Sequence, residues 1–202
     1  MELTVKPLKY KSLPGISERQ LSEHHDVLYA GYVKKYNEIM EKLKSADLSA
    51  ANGTYSELRE LMVEKAFALN GVKLHELYFA NMTDKPQEAT GHIVELLSVQ
   101  WGSFEAWQDE FAALGLTSRG WVVLAYDYAL GRFDNYIFDA HNQGSIVDTE
   151  IALVLDVYEH AYFLDYGTAR KEYIAKFMVA IDWEEINKRT AHHVLDINKQ
   201  GE

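Results

Sequence analysis

Apolar residues recur at helical spacing along most of the chain and at strand spacing over a short stretch of it. Residues 1–16 are polar, and Pro7 and Pro14-Gly15 favour extended or turn geometry, so this segment reads as an arm. Beyond it, Leu21, His24, Leu28 and Tyr32 fall at i, i+3 or i+4, the spacing that lines one face of a helix. Ser17 followed three residues later by Gln20 supplies a capping box. The pattern predicts a helix from Glu18 to about Leu43. Asn52-Gly53 breaks it, and Thr54 with Glu57 makes a second capping box. Leu58, Leu61, Met62, Ala66, Leu69 and Val72 then form a second stripe, predicting a helix up to about Met82. Two long helices joined by a short loop make an antiparallel hairpin.

Thr83 to Pro86 reads as a linker, with helices predicted at roughly 87–99 and 102–114. The texture changes at Trp121. Trp-Val-Val-Leu-Ala-Tyr-Asp is β-branched and aromatic, Leu130-Gly131-Arg132 is a turn, and Phe133 to Asp139 alternates like a returning strand. Ile151 to Leu155 is short and continuously apolar, as a strand covered on both faces requires. Helices are predicted again at Thr168 to Ala180 and Trp183 to His193. The expected fold is α+β: an N-terminal helical hairpin domain over 1–84 and, over 85–202, a domain with a three-stranded antiparallel sheet flanked by helices.

With 48% apolar and 25% charged residues, the 202-residue chain is expected to bury a sizeable core. It has no cysteine, which excludes disulfides, thiolate zinc sites and a cysteine nucleophile, so any metal must sit on His, Asp or Glu. The net charge of -11 repels phosphate backbones and acidic lipids, and Lys34, Lys35 and the other basic residues are interleaved with carboxylates. Neither a nucleic-acid nor a membrane partner is expected. Met1 to Lys11 is charged where a secretory leader would be apolar, and the protein is expected in the cytoplasm.

Chemistry concentrates on the histidines, eight in number. His24 lies on the first apolar stripe and points inward, whereas His25, rotated roughly 100° from it, is expected to face solvent. His75 shares the second helix with Gly71, Tyr78, Phe79 and Met82, a face that an antiparallel hairpin can present to His24. In Asp156-Val-Tyr-Glu-His160 a carboxylate ends a buried strand and an imidazole follows four positions on. Such a carboxylate needs a strong partner. Three imidazoles and one carboxylate suit a mononuclear iron, manganese or zinc site; a salt-bridged pair closing a strand is the plainer alternative for Asp156 and His160.

The segment Asp156-Val-Tyr-Glu-His-Ala-Tyr-Phe-Leu-Asp-Tyr166 resembles the iron/manganese superoxide dismutases, whose wording here is Asp-x-Trp-Glu-His-Ala-Tyr-Tyr. The resemblance extends to Leu21-Ser-Glu-His24-His25 with Tyr32-Val33, to Asn70-Gly-Val-Lys-Leu-His75, to Gly120-Trp121, and to Ala169-Arg170, Tyr173 and Asp182-Trp183-Glu184. It implies that His24, His75, Asp156 and His160 ligate the metal and that Tyr32 is the phenol at the gateway to the open coordination position. It also implies a residue bonded to solvent at that position, commonly Gln. Counting 20 residues from Trp121, as in some members, gives His141, with Gln143 the competitor if the hairpin register differs by two. Archaeal, mainly iron-containing members similar to this chain carry His there, so iron is preferred and manganese possible. Another part of the family places that Gln on the second helix, where this chain has Gly71.

Several positions depart from the family's wording. A His four residues after the first ligand and the second Tyr of His-Ala-Tyr-Tyr, which pair across the dimer in many members, are Leu28 and Phe163 here; the signature Trp is Tyr158, the Asn before the second ligand is Leu74, and a second Trp is Val123. Both ends of the bridge are absent together, so neither is left unsatisfied. The implied activity is disproportionation of superoxide to dioxygen and hydrogen peroxide. Arg170, and less directly Lys34 and Lys35, would guide the anion towards a protein of opposite overall sign, making the rate fall with ionic strength. The resemblance also implies that Glu159, which adjoins His160, reaches the ligand His of a partner subunit, and so a homodimer or homotetramer is expected. A protein that keeps the fold for a metal-binding or structural role is the competing reading, and intact ligands argue against it. An iron oxygenase using two His and one carboxylate would leave more open positions, and a zinc hydrolase would want a further carboxylate as base.

Overall fold

The computed structural model describes residues 2–195. The first predicted helix is present but has three parts: α1 (Glu18–Ser22), a wide π turn over Glu23–Tyr29, and α2 (Ala30–Leu43). In the π turn the Ala30 N–H reaches back five residues to the His25 carbonyl, which inserts an extra residue into the helical register beside the ligand-bearing face. Ser17 Oγ caps α1 by accepting from Gln20 N at 3.1 Å. The reciprocal half of the expected box is absent: the buried Gln20 side chain donates to the His160 carbonyl at 2.6 Å and accepts from Leu164 N at 3.1 Å. A residue with the wording of a helix cap thus ties the first helix to the segment carrying His160.

The second helix, α3 (Glu57–Ala80), starts later than predicted. Asn52 Oδ1 accepts from the N–H groups of Thr54 and Tyr55 at 2.8 and 3.2 Å, holding both in a turn, and Ser56 is the cap, accepting from Arg59 N at 3.2 Å. Thr54 and Glu57 therefore form no capping box, because the Asn side chain has already claimed that backbone. The N-terminal arm is pinned across both helices. Asn37 exchanges two 2.9 Å bonds with the Leu3 backbone, Lys6 N donates to Tyr29 Oη at 3.0 Å, and Tyr10 Oη donates to the Phe79 carbonyl at 2.9 Å.

The rest is mixed, as expected. Helices α4 (His92–Trp101) and α5 (Phe104–Thr117) precede β1 (Trp121–Asp127), β2 (Arg132–Phe138) and β3 (Thr149–Asp156), and α6 (Phe163–Tyr166), α7 (Arg170–Ala180) and α8 (Trp183–Thr190) follow. The sheet is antiparallel in the order β2-β1-β3. β1 is buried throughout and β3 from Ala152 onward, matching the continuous apolar run read as a covered strand. Trp121 pairs in register with Asp156 on one side and Phe138 on the other, so the same end of the sheet carries the carboxylate and the indole. Gly120 has to lack a side chain, since a Cβ there would meet the Phe138 carbonyl at 2.6 Å and the Tyr158 ring at 3.1 Å.

Packing joins the two halves behind that sheet end. Arg189 on α8 donates from Nη1 to Asn81 Oδ1 at 2.9 Å and to the Ala152 carbonyl at 2.7 Å, and Asn81 Nδ2 donates to the Val154 carbonyl at 2.8 Å. Helix, strand and helix are thereby clamped through groups that would be costly to leave unpaired. Trp107, Phe111, Trp121, Tyr173 and Phe177 fill the main core around β1. Among the described residues no helix is long and apolar enough to cross a membrane.

Candidate metal centre

His24 from the π turn, His75 from α3, Asp156 from the end of β3 and His160 from the turn after it converge, with their ligand atoms within 4.8 Å of one another. Asp156 Oδ2 is the hub, at 3.1 Å from His24 Nε2, 3.3 Å from His160 Nε2 and 3.7 Å from His75 Nε2. Asp156 is fully buried, and its other oxygen accepts from Tyr158 N at 2.9 Å. Burial pushes the carboxyl pKa up, but His160 and His24 outweigh it and hold the group below the usual carboxylate range. Burial moves His24 down, and burial together with the neighbouring His24 holds His75 well below the ordinary imidazole value; for His160 burial is outweighed by Asp156 and the pKa rises.

The donor set fits a metal cation. His24 Nε2 and His75 Nε2 are sealed from solvent and make no hydrogen bond. The Nδ1–H of His75 donates to the Gly71 carbonyl at 2.6 Å; in a neutral ring this leaves a lone pair on Nε2, aimed at a carboxylate oxygen that carries lone pairs of its own. Facing lone pairs in a dry interior are unfavourable unless a cation lies between them. Imidazole nitrogens with one carboxylate are the ligands of iron, manganese and zinc.

Around the cluster, His141 is buried and Gln143 exposed, so of these two it is His141 that lies against the site. Trp121 Nε1 donates to His141 Nδ1 at 3.0 Å, and Asn70 Nδ2 donates to the His141 carbonyl at 2.8 Å. Burial lowers the His141 pKa to about 4, so the ring is neutral with its proton on Nε2. The Tyr32 ring meets His141 edge-on at 4.8 Å and lies 5.3 Å from His75. Burial, with Asp156, raises the Tyr32 phenol. Tyr158, which stands where the family has Trp, stacks on His160 at 5.1 Å and 13°.

His25 is not solvent-facing as expected. It is buried, with Nε2 2.8 Å from the Lys6 carbonyl and Nδ1 2.6 Å from Asp26. The helix does turn it away from His24, but the N-terminal arm, polar in sequence, covers that face. Arg170 donates from Nε to Tyr162 Oη and from Nη1 to the Ser118 carbonyl, both at 3.0 Å. It lines a surface depression of about 510 Å³ together with Arg119, Tyr158, Glu159 and His160. Arg119 has no marker in the sequence pattern; only the folded turn before β1 brings it there. Lys34 and Lys35 are exposed and both pair with Glu38 on their own helix.

Fold and site together define a mononuclear metalloprotein with three His and one Asp at the junction of a helical hairpin and a mixed domain. Residues 2–83 match the α-hairpin domain of iron/manganese superoxide dismutases, and residues 89–189 match the C-terminal domain of the same family. The chain belongs to the iron/manganese superoxide dismutase family. It is 42% identical over 189 residues to the iron superoxide dismutase of Aquifex pyrophilus, covering 90% of this chain and 87% of that protein. It is 34% identical over 187 residues to manganese superoxide dismutase 2 of Haloferax volcanii, covering 91% and 92%. It is also 34% identical over 194 residues to the iron superoxide dismutase of Methanothermobacter marburgensis, covering 93% and 95%.

Proposed function

We infer that the chain disproportionates superoxide to dioxygen and hydrogen peroxide at one iron or manganese ion held by His24, His75, Asp156 and His160. The observation that carries this reading is the pair of sealed imidazole nitrogens facing a buried carboxylate, in a chain of this family. When bound, the metal supplies a one-electron couple that takes an electron from one superoxide and returns it to another. The polypeptide supplies geometry and protons. The Gly71 carbonyl fixes the His75 ring through Nδ1 and raises the basicity of the opposite nitrogen.

Trp121 plays the corresponding part for His141. By occupying Nδ1 it leaves Nε2–H to donate to a small group bound at the centre. Tyr32 stays protonated because burial and Asp156 oppose its ionisation, and so retains a proton to help deliver during peroxide release. Arg170 and Arg119 place positive charge at the surface depression beside His160, locally offsetting the net charge of -11 that an anion meets from afar.

Iron is our preference over manganese, on the His141 resemblance; the iron enzyme of Aquifex pyrophilus and the manganese enzyme of Haloferax volcanii are both relatives at this level. We assign the chain to a homodimer or homotetramer: Glu159 next to His160 is exposed, and on the adjoining turn Phe163 and Leu164 expose about half their surface, an apolar patch suited to a partner subunit. We retain the division into 1–84 and 85–202, and a cytoplasmic location.

The test is metal content and superoxide disproportionation measured on the same purified sample, with a His75→Ala variant beside it. The expected result is close to one iron or manganese per chain in the parent protein, with metal and activity lost together in the variant. Protein that stays inactive after reconstitution with either metal would overturn the reading.

A further inference from the structure

A second group of convergent ligands lies at the opposite end of β3. Glu150, near the start of that strand, meets His192 and His193 in the turn after α8 (Ala191–Leu195), and the ligand atoms of all three lie within 4.8 Å of one another. His192 Nε2 is 2.8 Å and His193 Nε2 3.3 Å from the same oxygen, Glu150 Oε2. Asp156 lies six positions along the strand from Glu150, about 20 Å at roughly 3.3 Å per step, so this group is no extension of the first centre.

We propose that Glu150, His192 and His193 form a second divalent-cation site, selective for a borderline transition metal such as zinc. Two imidazoles and one carboxylate with room for a solvent ligand form a known zinc donor set. Bonds near 2 Å at tetrahedral angles put neighbouring ligand atoms roughly 3.3 Å apart, and the His193–Glu150 separation of 3.3 Å already matches. The 2.8 Å to His192 needs only a small widening, and the His192 side chain is more than half exposed.

Supporting contacts preorganise the other two ligands. The His193 ring is buried and stacks on Tyr126 at 3.9 Å and 23°, with Phe133 edge-on at 5.5 Å. The Tyr128 hydroxyl donates to Glu150 Oε2, orienting the carboxylate in the manner by which outer hydrogen bonds align metal ligands. The set also spans the chain: Glu150 and His192 are 42 residues apart. A bound ion would fasten the segment after α8 to the edge of the sheet, and its open position faces solvent through His192.

The test takes protein as purified with its main metal in place, dialyses it against micromolar zinc, and counts zinc, iron and manganese together. Parent protein is compared with His192→Ala and Glu150→Gln, both at partly exposed positions that spare the buried His193. The expected result is about one added zinc per chain in the parent, absent from both variants, with iron or manganese and disproportionation rate unchanged in all three. A melting temperature raised by zinc in the parent alone accompanies it. No added zinc in the parent, or added zinc retained in both variants, overturns the proposal. Zinc gained at the expense of iron or manganese locates it at the first centre and overturns it equally.

Discussion

Gly71 sits one helical turn before His75, and the space its missing side chain leaves is where Tyr32 and His141 meet. A Cβ there would lie 3.0 Å from Cγ and Cδ1 of Tyr32 and 3.3 Å from Cδ2 of His141, against ordinary carbon contacts of about 3.5–4.0 Å. In Gly71→Ala the Tyr32 ring must therefore retreat by roughly half an ångström and the His141 ring by roughly 0.2 Å. His141 is buried and backed by Phe67 at 4.6 Å and Tyr158 at 5.3 Å, while the half-buried Tyr32 has Phe67 at 6.1 Å. Overpacking of this kind costs about 1–3 kcal/mol, while replacing Gly by Ala within a helix returns about 1 kcal/mol. The balance is a loss of up to about 2 kcal/mol, a melting temperature lower by up to about 8 °C for a chain of this size. Activity should suffer more than stability, because a site tolerates only about 0.5 Å of displacement; the rate per bound metal should fall at least about tenfold. Metal content is the internal control, since the Gly71 carbonyl that orients His75 is untouched. The measurements are a thermal melt and the disproportionation rate at matched metal content. A variant that melts at or above the parent temperature with an unchanged rate would refute the claim that Gly71 sets the Tyr32–His141 approach.

Other consequences can be checked on the same protein. Trp121→Phe removes the indole donor to His141 Nδ1, leaving a buried acceptor unsatisfied at a cost of about 1–3 kcal/mol before any cavity cost; nitrogen NMR should show His141 leaving its single tautomer, and an unchanged spectrum would remove Trp121 from that role. Metal-free protein should lose stability as the pH falls below about 6.5, the unfolded histidine pKa. His24, His75 and His141 all have folded pKa values below that, so the unfolded chain takes up protons first, at up to about 1.4 kcal/mol per pH unit for each group. His160, shifted upward, has the opposite sign and offsets part of this, and Asp156, shifted downward, adds a further loss below about pH 4. Melting temperatures that stay level or rise between neutral pH and about pH 5 would contradict the sign.

Much of the molecule is written in short-range pattern. Period decides the helical faces through Leu21 and His24 and through Leu61 and Val72, because an α-helix repeats every 3.6 residues whatever surrounds it. Composition likewise marks Trp121 to Asp127 and Ile151 to Leu155 as strands. The spacing from Asp156 to His160 places a carboxylate and an imidazole together within one turn, and family wording links them to His24, His75, Tyr32 and His141. Local rules fail where a distant group competes for the same atoms. Gln20 spends its amide on His160 and Leu164 rather than on its own cap, Asn52 displaces the cap from Thr54 to Ser56, and the arm around Lys6 buries the histidine next to His24. The π turn that widens the first helix has no periodic mark, since it is one extra residue in a continuous apolar pattern. Only tertiary packing turns a lone glutamate at position 150 and a histidine pair 42 residues on into a cluster, because convergence in space depends on where strand and helix ends meet and not on any spacing along the chain.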